Sequence, residues 1–249
     1  MSDWDKLLTR LSENELIVPI LENQIMSGKW PDHYEVVIDS GPYYGHGDGC
    51  FHPSTHPLLG ARRLYYEFHP DTRDEVIKEK KSLQSHMTLS MGAALHGVVQ
   101  TQFQMTGLLT EENTEWEYHD KVHNVRGRVD FIIDHPNGTK IPVEMKTRNS
   151  FAFGRTETIL PSWDAQLSLG LDNYGADMGI LLMVESGFPY RMKEFRVQRN
   201  VALLDEIYEK FDHVRDSIRR NVAPKYCCSY DSETMRSCSA RHLCWLADG

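Results

Sequence analysis

Asp130, Glu144 and Lys146 are the residues whose types and spacing best suit catalysis. They stand in Arg126-Gly127-Arg128-Val129-Asp130 and Pro142-Val143-Glu144-Met145-Lys146. If the two segments are strands of one hairpin, Glu144 and Lys146 share a face, because strand side chains alternate. Asp130 reaches that face from across the hairpin. Two carboxylates and an ammonium at a strand end suit a hard divalent cation, Mg²⁺ or Mn²⁺, which takes carboxylate oxygens and keeps waters. The Met145 carbonyl offers one more oxygen. The lysine would then orient or deprotonate a water while the cation polarises a phosphodiester. A solvent-facing ion pair explains Glu144 and Lys146 equally cheaply. Asp130, however, sits among Val129, Phe131, Ile132 and Ile133, where an unpaired charge is costly. His96, in Met91-Gly92-Ala93-Ala94-Leu95-His96-Gly97, can complete the cation's shell. Gln166, in Trp163-Asp164-Ala165-Gln166, can hold a phosphate or orient Lys146.

A second group of reactive residues lies at the far end. Of five cysteines, Cys50 stands alone, while Cys227, Cys228, Cys238 and Cys244 crowd the last 23 residues. An odd count in a chain with no recognisable export signal argues against a disulfide framework. Convergent thiolates suit an iron–sulfur cluster or a Zn²⁺ ion, with His52, His56 or His242 able to replace a cysteine. Reduced structural thiols are the third reading.

These side chains need elements to position them. Residues 3–28 read as one or two amphipathic helices, residues 40–60 as a Gly-, Pro- and His-rich loop, and Leu83 to Met105 as a helix with Leu89, Ala93, His96, Val99 and Phe103 near one face. The period then changes to that of strands at Trp116–His123, Arg126–Asp134 and Lys140–Thr147, the last two joined by the turn Pro136-Asn137-Gly138. A helix over Ser162–Tyr174 and strands at Gly179–Val184 and Tyr190–Val197 follow. Asn200 caps a long helix in which Leu203, Leu204, Ile207, Phe211, Val214 and Ile218 repeat. The order describes an α/β fold: a mixed central sheet flanked by helices, with an N-terminal helical region and a Cys-rich C-terminal tail. It is read as one domain over residues 1–249: an N-terminal helical and Cys50 loop region over 1–82, a core over 83–199, and a helix with the tail over 200–249.

Composition narrows the function classes. The chain has 249 residues, a net charge of −9, 40% hydrophobic and 25% charged residues, which describes an ordinary globular protein rather than a disordered one. Its longest apolar run, Met178 to Val184, falls far short of the ~20 residues that span a bilayer. The first residues alternate charge with apolar side chains and lack the core of a signal peptide, so a cytoplasmic protein without a membrane partner is expected, in a prokaryotic cell or a phage-infected host. The acidic balance argues against a nonspecific nucleic-acid coat but leaves room for a local basic groove. No GxxxxGK[ST] phosphate loop occurs, so the chain has no P-loop of its own to power unwinding.

Taken in order, His96, Gly127-Arg128-Val129-Asp130, Glu144-x-Lys146 and Gln166 resemble the RecB-like branch of the PD-(D/E)xK nuclease superfamily, and within it the CRISPR-associated and phage exonucleases that carry an iron–sulfur cluster. The resemblance covers roughly residues 85–185. It implies a restriction-endonuclease-like core and a metal-dependent DNA exonuclease, with Asp130, Glu144 and His96 on the cation and Lys146 activating water. The substrate would be single-stranded DNA or DNA ends, the products 5′ phosphates, and the setting recombination, repair or phage and CRISPR DNA processing. A helicase, recombinase or CRISPR integrase would be a fitting partner, and a homo-oligomer is compatible with the family. The second reading is a non-catalytic or weakly catalytic nuclease-fold module for DNA binding or assembly. The family also binds a [4Fe–4S] cluster between a distant N-terminal cysteine and three C-terminal ones, which here implies Cys50, Cys228 (or Cys227), Cys238 and Cys244. Cys238-x5-Cys244 matches the family spacing; the preceding step is longer than usual. Arg62-Arg63-Leu64-Tyr65-Tyr66 resembles the basic–aromatic segment after the family's first cysteine. For DNA contact the better candidates are Arg148, Arg155 and Tyr174. Arg62, Arg63, Lys78, Lys80, Lys81, Tyr65, Tyr66, Phe151 and Phe153 are also available. Two departures stand out: relatives place a tyrosine where this chain has Gly170, and an acidic residue where Gly97 follows His96.

Overall fold

A computed structural model describes residues 15–34, 36, 48–77 and 82–245. The expectations for residues 3–14 and 40–47, and for Lys78, Lys80 and Lys81, lie outside these. The first described helices are α1 (Val18–Met26), α2 (Ala61–Phe68) and α3 (Leu83–Met105). α3 has the predicted bounds; Ser82 caps it by accepting from the Ser85 N–H. The strands are β1 (Thr114–Asp120), β2 (Val125–Asp134), β3 (Lys140–Arg148), β4 (Met178–Glu185) and β5 (Met192–Gln198). Between β3 and β4 run α4 (Ser150–Arg155) and α5 (Pro161–Tyr174), and after β5 come α6 (Val201–Arg219), α7 (Glu233–Arg236) and α8 (Arg241–Trp245). Asn200 caps α6 as expected, accepting from the Leu203 N–H. α2 and α4 went unread in the sequence because each is under nine residues long, too short for a helical period to register.

The five strands lie in chain order. β1–β2, β2–β3 and β4–β5 pair antiparallel, while β3 and β4 pair parallel through the α4–α5 crossover. α1 and α3 cover one face: Ile17, Val18, Leu21, Val99 and Phe103 bury against Phe131, Ile133, Val143, Met145, Ile180 and Leu182. α5 and α6 cover the other, with Ala165, Leu169, Leu204, Ile207 and Phe211 against Val129 and Ile132, and Leu167 and Leu171 against Leu181 and Met183. β4 is buried along nearly its whole length, which is why its sequence is a continuous apolar run rather than an alternating one. Leu89, placed by its spacing on the inward stripe of α3, is exposed; Val99 and Phe103 are buried in the core, with Leu95 partly buried against it.

Candidate active site

The site starts from an irregularity in β2. Its ladder to β1 pairs Val129 with Trp116 and Phe131 with Thr114, and its ladder to β3 runs from Phe131–Val143 to Asp134–Lys140. Asp130 has a partner in neither. Across from it, Glu115 takes a φ of 54°, a left-handed conformation uncommon for a non-glycine residue. The facing of the strand slips at the same point. Phe131 and Ile133 pack on the α3 side, yet Val129 and Ile132 both pack on the α5 side. Both strands advance by two residues across the gap, so the ladder is interrupted without a bulge, and Asp130 is the residue of β2 left unpaired there. Its Oδ2 accepts the Met145 N–H at 2.7 Å and lies 3.7 Å from His96 Nδ1 on α3.

Gln100, one helical turn after His96, bridges the two unpaired residues. Its Nε2 donates to the Asp130 carbonyl at 3.0 Å and to Glu115 Oε1 at 2.7 Å. Neither Gln100 nor Glu115 was singled out from sequence. The available signal was the i, i+4 spacing of two polar residues, His96 and Gln100, on the inward side of a helix.

Glu144 and Lys146 share a face of β3, as alternation requires. Lys146 Nζ donates to Glu144 Oε1 at 2.7 Å and to Gln166 Oε1 at 2.8 Å, and Gln166 Nε2 donates to Glu144 Oε1 at 2.7 Å. The three side chains close a ring between β3 and the first turns of α5. The Glu144 side chain is only 5% exposed; burial, and then the Asp130 charge, push its carboxyl well above the usual range. Burial and Asp130 likewise raise Glu115. Three carboxylates from three neighbouring strands, Glu115, Asp130 and Glu144, suit a hard divalent cation by the chemistry of the donor set. Among the described residues, no three His, Cys, Asp or Glu side chains are already disposed to hold a metal ion.

Arg148 continues the face of Glu144 and Lys146; its guanidinium lies 4.7 Å from the Trp163 ring, and its buried Nε has no hydrogen-bond partner. Arg155 lies 4.0 Å over the ring of Phe151, which is 68% exposed. Arg148 follows Lys146 by two residues on β3, and Phe151 and Arg155 lie on α4, the next element of the chain. Tyr174 instead packs edge-on against Trp116, with ring centroids 5.1 Å apart. Gly170 faces Val129 so closely that a Cβ would lie 2.9 Å from Val129 Cγ2; a tyrosine has no room there. Tyr65, Tyr66 and Phe153 are buried and offer no stacking surface. Arg62 donates to the Pro224 carbonyl at 2.8 Å, and Arg63 pairs with Glu67 at 2.8 Å; both are engaged within the fold.

The cysteines divide into two places. Cys50 is buried, with Asn124 Oδ1 at 3.5 Å and His119 Nε2 at 3.8 Å from its sulfur. The tail cysteines lie with α2 instead. Cys238 and Cys244 belong to one cluster with Tyr65, Tyr66 and Ala240, and Cys227 lies against Gly60. His52 bonds Asp48 at 3.1 Å, His56 is buried, and His242 keeps a buried Nδ1 without a hydrogen-bond partner.

No protein-family model matches the chain, and no curated protein matches it. Among solved structures, the alkaline exonuclease LHK-Exo from Laribacter hongkongensis matches with a TM-score of 0.50 at 13% identity, over 70% of this chain and 89% of that one. The same enzyme in complex with dAMP matches with a TM-score of 0.49 at 14% identity over the same shares. SSO0001 matches with a TM-score of 0.48 at 15% identity, over 93% of this chain and 97% of that one. The likeness to the uncomplexed alkaline exonuclease is one of fold: the five-stranded mixed sheet with helices on both faces is similar to that of a nuclease.

Proposed function

We propose that this chain is a divalent-cation-dependent DNA exonuclease that acts on single strands or duplex ends and leaves 5′ phosphates. The observation that carries the reading is the Lys146–Glu144–Gln166 ring set beside Asp130 at an interruption of the sheet. Asp130, Glu144, His96 and the Met145 carbonyl would hold Mg²⁺ or Mn²⁺, with Glu115 close enough to add negative charge. The cation would polarise the scissile phosphodiester and offset the charge that builds on it. Gln166 holds Lys146 over the site, so the ammonium cannot swing to solvent. A water oriented by the Lys146 ammonium would bond through its oxygen to phosphorus and release its proton to solvent, and the 3′ oxygen would leave with the bonding pair and take up a proton. Arg148 and Arg155 would take up phosphates along the strand, with Phe151 as a stacking face. The fold similarity to an alkaline exonuclease supports the reading. With no P-loop of its own, the chain would work on ends already open or opened by a helicase, recombinase or CRISPR integrase.

The test is a time course on end-labelled single- and double-stranded DNA with Mg²⁺, Mn²⁺ or EDTA, run beside Lys146→Ala. Cation-dependent shortening should fall by at least about 10²-fold in the variant, the scale of losing a proton-transfer group, while DNA binding survives. Unchanged cleavage by Lys146→Ala would overturn the site. Binding without cleavage by the cation-loaded wild type would favour the DNA-binding module instead.

A further inference from the structure

α2 starts after Gly60, and the reason for a glycine there is space rather than torsion. Its φ of −69° and ψ of 145° are open to any residue. A Cβ at this position would lie 2.4 Å from Cys227 Sγ and 2.5 Å from Cys227 Cβ, distances that side chains do not sustain. The Cys227 side chain therefore occupies the volume that any other residue 60 would fill.

The segments that carry the remaining tail cysteines meet at the same helix. Arg62 bonds the Pro224 carbonyl and lies 4.0 Å over the Tyr226 ring, tying residues 224–226 to α2 just before the Cys227-Cys228 pair. Tyr226 stacks on Trp245 with centroids 4.1 Å apart, and Tyr230 meets the same indole at 5.5 Å. The chain on both sides of the pair is thus closed onto α8, which holds Cys244. Ser239, next to Cys238, bonds Glu67 of α2 at 2.9 Å. Cys238 and Cys244 pack in one cluster with Tyr65 and Tyr66 of that helix. Cys50 shares none of these partners; it sits with Asp48, His119 and Asn124.

We infer that Cys227, Cys228, Cys238 and Cys244 form a self-contained thiolate site for a thiophilic metal centre, with Cys227 in the space left by Gly60 and Cys50 outside the ligand set. The four thiols give up their protons on binding, and the sulfurs draw together with the metal, since such sites are rarely preformed without it. Zinc and an iron–sulfur cluster both accept four thiolates. The inference is independent of the nuclease reading, because none of these residues touches Asp130, Glu144 or Lys146.

The experiment is metal analysis of the full chain purified without oxygen, followed by Co²⁺ titration of the chelator-stripped protein, read at the thiolate-to-metal charge-transfer band. Wild type and Cys50→Ser should carry equal metal and give equal bands. Serine at Cys227, Cys228, Cys238 or Cys244 should weaken Co²⁺ binding by about tenfold or more, at least the scale of losing an outer-shell partner. Gly60→Ala, which removes no donor atom, should weaken it too by displacing Cys227. If serine variants fail to fold, Cys50→Ser and Gly60→Ala still decide, since their four tail thiols are intact. Loss of metal in Cys50→Ser, full binding in Cys227→Ser or Gly60→Ala, or a wild type with neither zinc, iron nor a Co²⁺ band would each overturn the inference. Iron with sulfide, or zinc alone, would each support it and identify the centre.

Discussion

Asp130 sits in a strand and pairs with neither neighbour, so its carboxylate is free to take the Met145 N–H rather than stand in the sheet. That placement has an electrostatic cost, because Asp130 raises both Glu144 and Glu115. Two outcomes follow for Asp130→Asn, which keeps an oxygen for the Met145 N–H. Without a divalent cation the variant should be at least as stable as wild type, since a like charge has been removed. With Mg²⁺ or Mn²⁺ at a hundredfold excess over its Kd, wild type should gain about 2.7 kcal/mol by mass action, while Asp130→Asn should gain far less. Thermal melts with and without the cation check both; equal stabilisation of the two proteins would remove Asp130 from the cation site. Lys146→Ala should lower turnover by at least about 10²-fold, while Gln166 and Glu144 keep bonding each other.

At the scale of elements, two helices on opposite faces of one hairpin supply the rest. α3 brings His96 and Gln100 to the β2 side, and α5 brings Gln166 to the β3 side. Helix bounds, hairpin and caps were legible because each has a local cause: the Pro136-Asn137-Gly138 turn, Asn200 as a cap, a helical period over Leu83–Met105. The slip at Asp130 was not, because it depends on Gln100 bonding a backbone carbonyl 30 residues away. Nor was the turn between β4 and β5, where Arg191 bonds the buried Glu185 carboxylate through Nε at 3.0 Å and Nη2 at 3.2 Å. Those bonds hold the Glu185 carboxyl down from 4.5 to about 2. A depressed carboxylate contributes stability that is present above its unfolded value and is lost as pH falls through its folded one. Wild type should therefore lose stability between about pH 4.5 and about pH 2, and Glu185→Gln should flatten part of that acid slope in melts taken across the window. An unchanged slope would show that the pair does not govern acid unfolding.

Across the whole molecule, the charge and the tail set the conditions for function. A net charge of −9 resists nonspecific coating of DNA, so the proposed exonuclease would need a local basic surface, for which Arg148 and Arg155 are the candidates. Among the described residues, no helix is long and apolar enough to cross a membrane. The tail packs on α2 through aromatic rings and Arg62, with short helices α7 and α8 of four and five residues, too short to hold their own structure. Its order should therefore depend on the metal centre inferred above. Chelator treatment should speed tryptic cleavage at Lys225, Arg236 and Arg241 by about tenfold or more, the scale of a local opening made about 1.4 kcal/mol easier. The sheet should keep its melting temperature. Unaltered cleavage rates would mean that the tail is ordered without metal.

The sequence by itself determined the α/β class, nearly every long element, the strand face shared by Glu144 and Lys146, and the ordered residues of the candidate site. These depend on periodicity and on side-chain type, which act over a few residues. Only the tertiary structure decided which residues meet. It turned Asp130 out of its ladder, added Gln100 and Glu115, sent Tyr174 to Trp116, left no room for a side chain at Gly170, and seated Cys227 against Gly60 while Cys50 went elsewhere. Each of these is a contact between segments far apart in the chain. Such contacts are fixed by how helices and sheet exclude volume from one another, and local sequence carries no record of that.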